Sequence, residues 1–153
     1  QSVYMMDKIK KLRDKTGAGV MGVKKALEEA KGDMKKAEEI VRKKGLAKAA
    51  KKSDREVNSG LIYSYVHQTG KVGAMIEMAC ETDFVAQNDE FVGLCKEVAM
   101  QIASMNPKDV KELEEMSYIR DSSKKVGELV KELVGKIGEN MRIVRFTRFE
   151  LGE

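Results

Sequence analysis

The side chains best suited to covalent or proton-transfer chemistry are scarce in this sequence: one histidine, His67, and two cysteines, Cys80 and Cys95. A serine or cysteine nucleophile needs a base, and a lone His67 set near a hairpin turn leaves neither a Ser-His nor a Cys-His pair to build. Both cysteines fall on apolar faces, where free thiols are packing groups and a disulfide framework is not expected. No Gly-x-x-x-x-Gly-Lys-Ser/Thr phosphate loop, His-Glu-x-x-His or Cys-x-x-Cys occurs, and the carboxylates are scattered over helix surfaces. No catalytic residue, cofactor-binding residue or metal ligand is assigned. The product of this chain is expected to be an interaction.

The stretch that could carry an interaction is Cys80-Glu81-Thr82-Asp83-Phe84-Val85-Ala86. Before it, Val72, Ala74, Ile76, Met78 and Cys80 alternate at period two, as in a half-buried strand. After it, Phe91, Leu94, Cys95, Val98 and Ile102 recur at helical spacing, with Asn88 or Asp89 placed to cap. An aspartate beside a phenylalanine at this strand-to-helix corner reads in two ways. They are a cap and a buried anchor, or a probe that enters a partner.

The elements around the corner follow from the same patterns. Met5, Ile9 and Leu12 mark a first helix ending at Thr16-Gly17-Ala18-Gly19. Val20, Val23, Leu27 and Ala30 mark a second, ended by Gly32; Asp33 caps a third carrying Met34, Ala37, Ile40 and Val41, closed by Gly45. Leu46 to Lys52 alternates Ala and Lys without an apolar stripe and reads as a basic helical or flexible linker. Leu61–His67 and Val72–Cys80 flank Gln68-Thr69-Gly70-Lys71 as a hairpin. A helix from Asn88 to Met105 stops at Asn106-Pro107. Val110–Asp121 reads as a turn of helix plus loop. Val126–Ile137 is a helix ended by Gly138, and Met141–Leu151 is a strand whose apolar phase shifts between Val144/Phe146 and Phe149/Leu151, as at a bulge.

The expected fold class is α+β: a three-helix bundle, a linker, then a three-stranded antiparallel sheet covered by helices in the order ββααβ. The domain division is 1–4 tail, 5–45 helical docking module, 46–57 basic linker and 58–153 α+β core. Gln1-Ser2 reads as a cleavage remnant, with the native start at Met5 or Met6. With 42% hydrophobic and 35% charged residues in 153, and no apolar run of membrane-spanning length, the expectation is a soluble, cytoplasmic chain with no membrane partner. The net charge of +4 conceals a basic front, since Met5–Arg55 holds 17 Lys and Arg against 8 Asp and Glu. That front suits nucleic acid, an acidic protein surface or a solvated exterior. No aromatic residue is interleaved among Lys48, Lys51 and Lys52 to stack on bases, so direct nucleic-acid contact is not expected.

Three motifs in order carry a family resemblance. Leu12-Arg13-Asp14-Lys15-Thr16-Gly17-Ala18-Gly19-Val20-Met21 with Lys24–Ala30 and Gly32-Asp33 closely resembles the N-terminal module of the elongation factor Ts family. Cys80–Ala86 resembles that family's core signature, and Lys136-Ile137-Gly138-Glu139-Asn140 with Arg145-Phe146 its C-terminal one. The resemblance covers nearly all of Met5 to Glu153. It implies an N-terminal module like ubiquitin-associated domains and a guanine-nucleotide exchange factor for the GTPase elongation factor Tu, without catalytic chemistry of its own. It further implies that Asp83 and Phe84, flanked by Thr82 and Val85, enter the GTPase domain, loosening its magnesium and phosphate contacts. Leu12, Arg13, Val20 and Met21 would dock elsewhere on that domain. Val20-Met21-Gly22-Val23 departs from the family's common Met-Met-Asp-Cys. The interval Pro107–Lys124 is also too short for the helical insertion of long members, which leaves room for a homodimer. Two other readings stand beside this one: a nucleic-acid-binding protein acting through Lys48, Lys51 and Lys52, and a ribosome-associated scaffold of the same fold without exchange activity.

Overall fold

In a computed structural model describing residues 2–153, the first three helices are set by their caps. Ser2 Oγ accepts from the Met5 N–H at 3.2 Å and starts α1 (Val3–Thr16). Residues 3 and 4 are therefore part of α1; Gln1 lies outside the described residues. Gly17 ends α1 at φ 71°, its N–H bonded to Arg13 O at 2.7 Å. α2 (Val20–Glu29) ends through Lys31 and Gly32, both at positive φ, and Asp33 Oδ1 caps α3 (Met34–Lys52) by accepting from the Lys36 N–H at 3.1 Å. Ile9, Leu12, Val23, Ala26, Leu27 and Ala37 make the small core of this bundle.

The rest of the chain is β1 (Ser59–Val66), β2 (Val72–Cys80), α4 (Asp83–Ala86), α5 (Asp89–Met105), α6 (Val110–Glu115), β3 (Ser117–Tyr118), β4 (Asp121–Lys125), α7 (Val126–Ile137) and β5 (Met141–Glu150). β1, β2 and β5 form an antiparallel sheet with β2 in the centre. Ala74, Ile76, Met78 and Cys80 face Phe91, Leu94, Cys95, Val98 and Ile102 of α5, as the two periodicities predict. The architecture is α+β. No helix among the described residues is long and apolar enough to cross a membrane.

Three features depart from the sequence expectation. The phase shift in β5 comes earlier: Met141 and Ile143 face the core, the register slips opposite Glu77/Met78, and Phe146 takes the next inward position, leaving Val144 outside. The loop expected after α6 instead begins a two-stranded ribbon, β3 with β4, that runs past Asp121 to Lys125. It is pinned by Gln101, a fully buried side chain that donates to Ser117 O and accepts from the Ile119 N–H, both at 3.0 Å. The third departure concerns Gly45, which does not close α3: the helix runs through it to Lys52, so of the two readings of Leu46–Lys52 the helical one holds, with Lys48 and Lys51 exposed on it.

Gly45 continues the helix because it is not in the left-handed region; its use is close approach. A Cβ at Gly135 of α7 would lie 2.6 Å from the carbonyl oxygen of Gly45, so the two helices cross backbone against backbone. The first half of α3 buries Ala37 against α1 and α2, while the second half buries Ala49 in the core under the sheet. Around the crossing, Arg42 pairs with Glu128, and Lys124 Nζ lies 3.1 Å from Glu132 Oε2.

Candidate functional site

The corner after β2 is built by a threonine. Thr82 lies in extended backbone at φ −129°, and its Oγ1 accepts from the Val85 N–H at 3.3 Å, starting the single turn α4. That turn sends its residues in opposite directions. Val85 and Ala86 are buried in the main core, whereas Asp83 is exposed and Phe84 is 85% exposed, an apolar ring held almost wholly in solvent. Gln87 ends the turn and Asn88 begins α5, its Oδ1 accepting from the N–H groups of Glu90 at 2.8 Å and Phe91 at 3.4 Å. Asp83 makes no hydrogen bond or ion pair among the described residues. Neither Asp83 nor Phe84 holds the corner in place.

Other residues do that work, and most come from the turn between α7 and β5. Gly138, at φ 90°, ends α7 and turns the chain so that Glu139 reaches back beneath the corner. Glu139 Oε1 accepts from the N–H groups of Glu81 at 3.2 Å and Thr82 at 3.1 Å, and its Oε2 accepts from the Thr82 hydroxyl at 2.7 Å. Glu81 answers in the other direction, accepting from the Asn140 N–H with the Arg55 guanidinium 3.6 Å away. Asn140 is buried and donates its amide to Arg55 O at 2.8 Å and Ser53 O at 3.3 Å. The Lys136–Asn140 motif is thus a brace for the Cys80–Ala86 motif. The link is not legible in the sequence, because a glutamate just past a helix stop reads as a solvent-facing residue.

From below, the Cys80 thiol donates to Thr82 O at 3.2 Å. Burial, and then the Glu139 carboxylate, push that thiol above the ordinary range. Burial, with Cys80 adding to it, pushes the Cys95 thiol up to about 12. Both stay protonated at neutral pH and are poor nucleophiles. Among the described residues, no group of three or more His, Cys, Asp or Glu side chains is arranged to hold a metal ion.

The residues expected to dock from the bundle divide in the same way. Arg13 on the last turn of α1, and Val20 and Met21 on the first turn of α2, are exposed, Met21 by 66%. Leu12 is fully buried in the bundle core. A side chain without exposed surface cannot touch a partner, so Leu12 supports the exposed surface of the bundle from beneath, as Val85 supports the corner. The α1–α2 turn is fastened to the core by Lys136, whose stem packs so closely on Gly17 that a Cβ there would lie 2.4 Å from its Cε. The same ammonium pairs with Glu90 of α5 at 2.6 Å. The end of α7 therefore touches the loop between the bundle's exposed residues and the first turn of the helix that follows the corner.

Comparison with known proteins bears on this arrangement. Residues 81–153, from the corner to the end of the chain, match the family model described as Elongation factor TS. Elongation factor Ts of Thermotoga neapolitana is 44% identical over 97% of this chain and 97% of its own length. The chain belongs to the elongation factor Ts family. Elongation factor Ts of Thermotoga maritima is also 44% identical, over 97% of this chain and 96% of its own length, and that of Thermoanaerobacter sp. strain X514 is 43% identical over 95% and 93%. Membership makes this chain a translation elongation factor. The alignment with the Thermotoga neapolitana protein extends over 191 positions against the 153 residues here, so at least 38 internal positions have no counterpart in this chain. Between Pro107 and Lys124 the structure has room only for α6 and the β3–β4 ribbon.

Proposed function

We propose that this chain promotes release of GDP from elongation factor Tu by entering its GTPase domain with Asp83 and Phe84, while Arg13, Val20 and Met21 dock elsewhere on that domain. The observation that carries the reading is the exposure of Phe84 on a turn whose other apolar residues, Val85 and Ala86, are buried. A phenylalanine serving as a packing anchor would be inside. Family membership and the free Asp83 carboxylate support the same reading. The chain acts by binding, without chemistry of its own: a factor that speeds nucleotide release binds the nucleotide-free GTPase more tightly than the nucleotide-bound form, and the same coupling appears in both equilibria. The test is stopped-flow release of a fluorescent GDP analogue from elongation factor Tu. Release that does not accelerate with added protein rejects the reading.

A second copy of the chain is the further partner. The sheet carries helices on one face only, and its other face exposes Ile62, Val66, Met75 and Phe149 together with the Glu77–Arg145 pair, with Leu151 just past the end of β5, apolar surface of the kind that seeks cover. Two copies meeting through that face would supply contacts that one short core lacks. Sedimentation at micromolar concentration is expected to show a dimer, and Phe149→Glu a shift toward monomer. A strictly monomeric species with full exchange activity would show that one core suffices.

A further inference from the structure

We infer that Glu139 is the positioning residue for the exchange corner: it aims Phe84 without touching the partner's nucleotide site. This rests on the proposed entry of Asp83 and Phe84 into the GTPase.

Phe84 has almost no contact of its own with the fold, so its direction is set by the backbone of Glu81, Thr82 and α4. A four-residue helix is too short to persist through its own hydrogen bonds. What fixes its entry angle is the Thr82 hydroxyl, which at once accepts from the Val85 N–H and donates to Glu139. The carboxylate also takes both backbone N–H groups leading into the turn. Glu139 is therefore joined to the corner at three points, from a position 57 residues away along the chain. Each bond ends on a carboxylate oxygen, a stronger acceptor than a neutral one. The Glu81 carboxylate, bonded back to the Asn140 N–H, closes the loop from the other side. Glu139 holds the backbone N–H of Glu81, and Glu81 holds that of Asn140, the neighbour of Glu139, so neither turn can swing without breaking both sets.

A brace of this kind acts on the maximal effect more than on affinity. The bundle residues Arg13, Val20 and Met21 dock independently of it. A corner that samples several directions delivers Phe84 to its place only part of the time, and the bound complex then releases nucleotide more slowly.

The experiment measures the maximal GDP-release rate and the half-saturating concentration for Glu139→Ala and Glu139→Gln, each alone and in a Phe84→Ala background. Glu139→Ala is expected to cut the maximal rate about tenfold with less than about a threefold change in half-saturation. Glu139→Gln keeps an acceptor for the two N–H groups and is expected to recover most of the rate. In the Phe84→Ala background, replacing Glu139 is expected to change nothing further, because there is no ring left to aim. A full maximal rate for Glu139→Ala overturns the inference alone, as does a loss that adds to that of Phe84→Ala. If Glu139→Ala does not fold, Thr82→Val cuts the hydroxyl link instead, and its loss must likewise vanish in the Phe84→Ala background. A wild-type protein that does not accelerate release removes the underlying reading and the inference together.

Discussion

Phe84→Ala is expected to bind GDP-bound elongation factor Tu nearly as well as the wild-type protein and yet to cut the stimulated rate of GDP release at least tenfold at saturation. The binding half of this expectation follows from location: the exposed residues of the bundle and most of the core surface are untouched, and the ring makes no contact on which the fold depends. The rate half follows from magnitudes. An acceleration of a thousandfold corresponds to about 4 kcal/mol of coupling, whereas burying one phenylalanine yields about 1.5–3 kcal/mol. The ring is thus a large share of the coupling but not all of it. Asp83, exposed and unpaired, is the next candidate, and Asp83→Ala is expected to have an equal or smaller effect. Stopped-flow release of a fluorescent GDP analogue at saturating variant is the measurement. A full rate with saturating Phe84→Ala would mean that the ring is a surface residue at a strand-to-helix corner and that the coupling arises elsewhere. Because the ring is solvent-exposed, the substitution should leave thermal stability unchanged, so a slow rate cannot be blamed on unfolding.

The parts of this molecule that were legible in the sequence are those whose signal is local. α5 and α7 announce themselves by apolar period and by their ends, Asn88 at one and Gly138 at the other, because a cap acts within a few residues of the backbone it satisfies. β2 is legible because its alternation is what a strand with one covered face requires. The ribbon of β3 and β4 was not, since Asp121–Lys125 has no alternation at all and is held by Gln101 from another element. Gly45 misled for a related reason. Glycine stops a helix when it takes positive φ, and it also lets helices touch when it does not; only the presence of Gly135 opposite distinguishes the two uses. At the site, the motif around Asp83 and Phe84 was readable as a corner, but the brace was not, because Glu139 and Thr82 are adjacent only after β2 and β5 have paired. Leu12 shows the converse. Its helical period places it on the apolar face of α1, and the structure keeps it there, inside the bundle and away from any partner.

Gly135→Val tests whether the crossing of α3 with α7 matters to function as well as to folding. The new Cβ would meet the Gly45 carbonyl oxygen at 2.6 Å, with the backbone carbon and Cα of Gly45 at 3.1 and 3.2 Å. All three are backbone atoms, so no flexible side chain can yield and the helices must move apart. Overpacking of this kind typically costs about 1–3 kcal/mol. Exchanging glycine for a β-branched residue in a helix returns only a few tenths of that. For a chain of this size the net loss corresponds to a fall in Tm of roughly 2–10 °C. The functional consequence lies one residue further on. Lys136 fastens the α1–α2 turn and pairs with Glu90, so displacing α7 at position 135 frees Arg13, Val20 and Met21 from their fixed relation to the corner. Two docking surfaces on one rigid body bind together more tightly than two on a loose connection, because the second contact forms at a high effective concentration. The half-saturating concentration for GDP release is therefore expected to rise about tenfold, and the maximal rate to fall to the extent that Glu139, just past the end of the displaced α7, loses its hold on the corner. Calorimetry and stopped-flow release on the same sample separate the two effects. A lowered Tm with unchanged half-saturation would show that the bundle finds its place on the GTPase without help from α7, and that the glycine crossing serves stability alone.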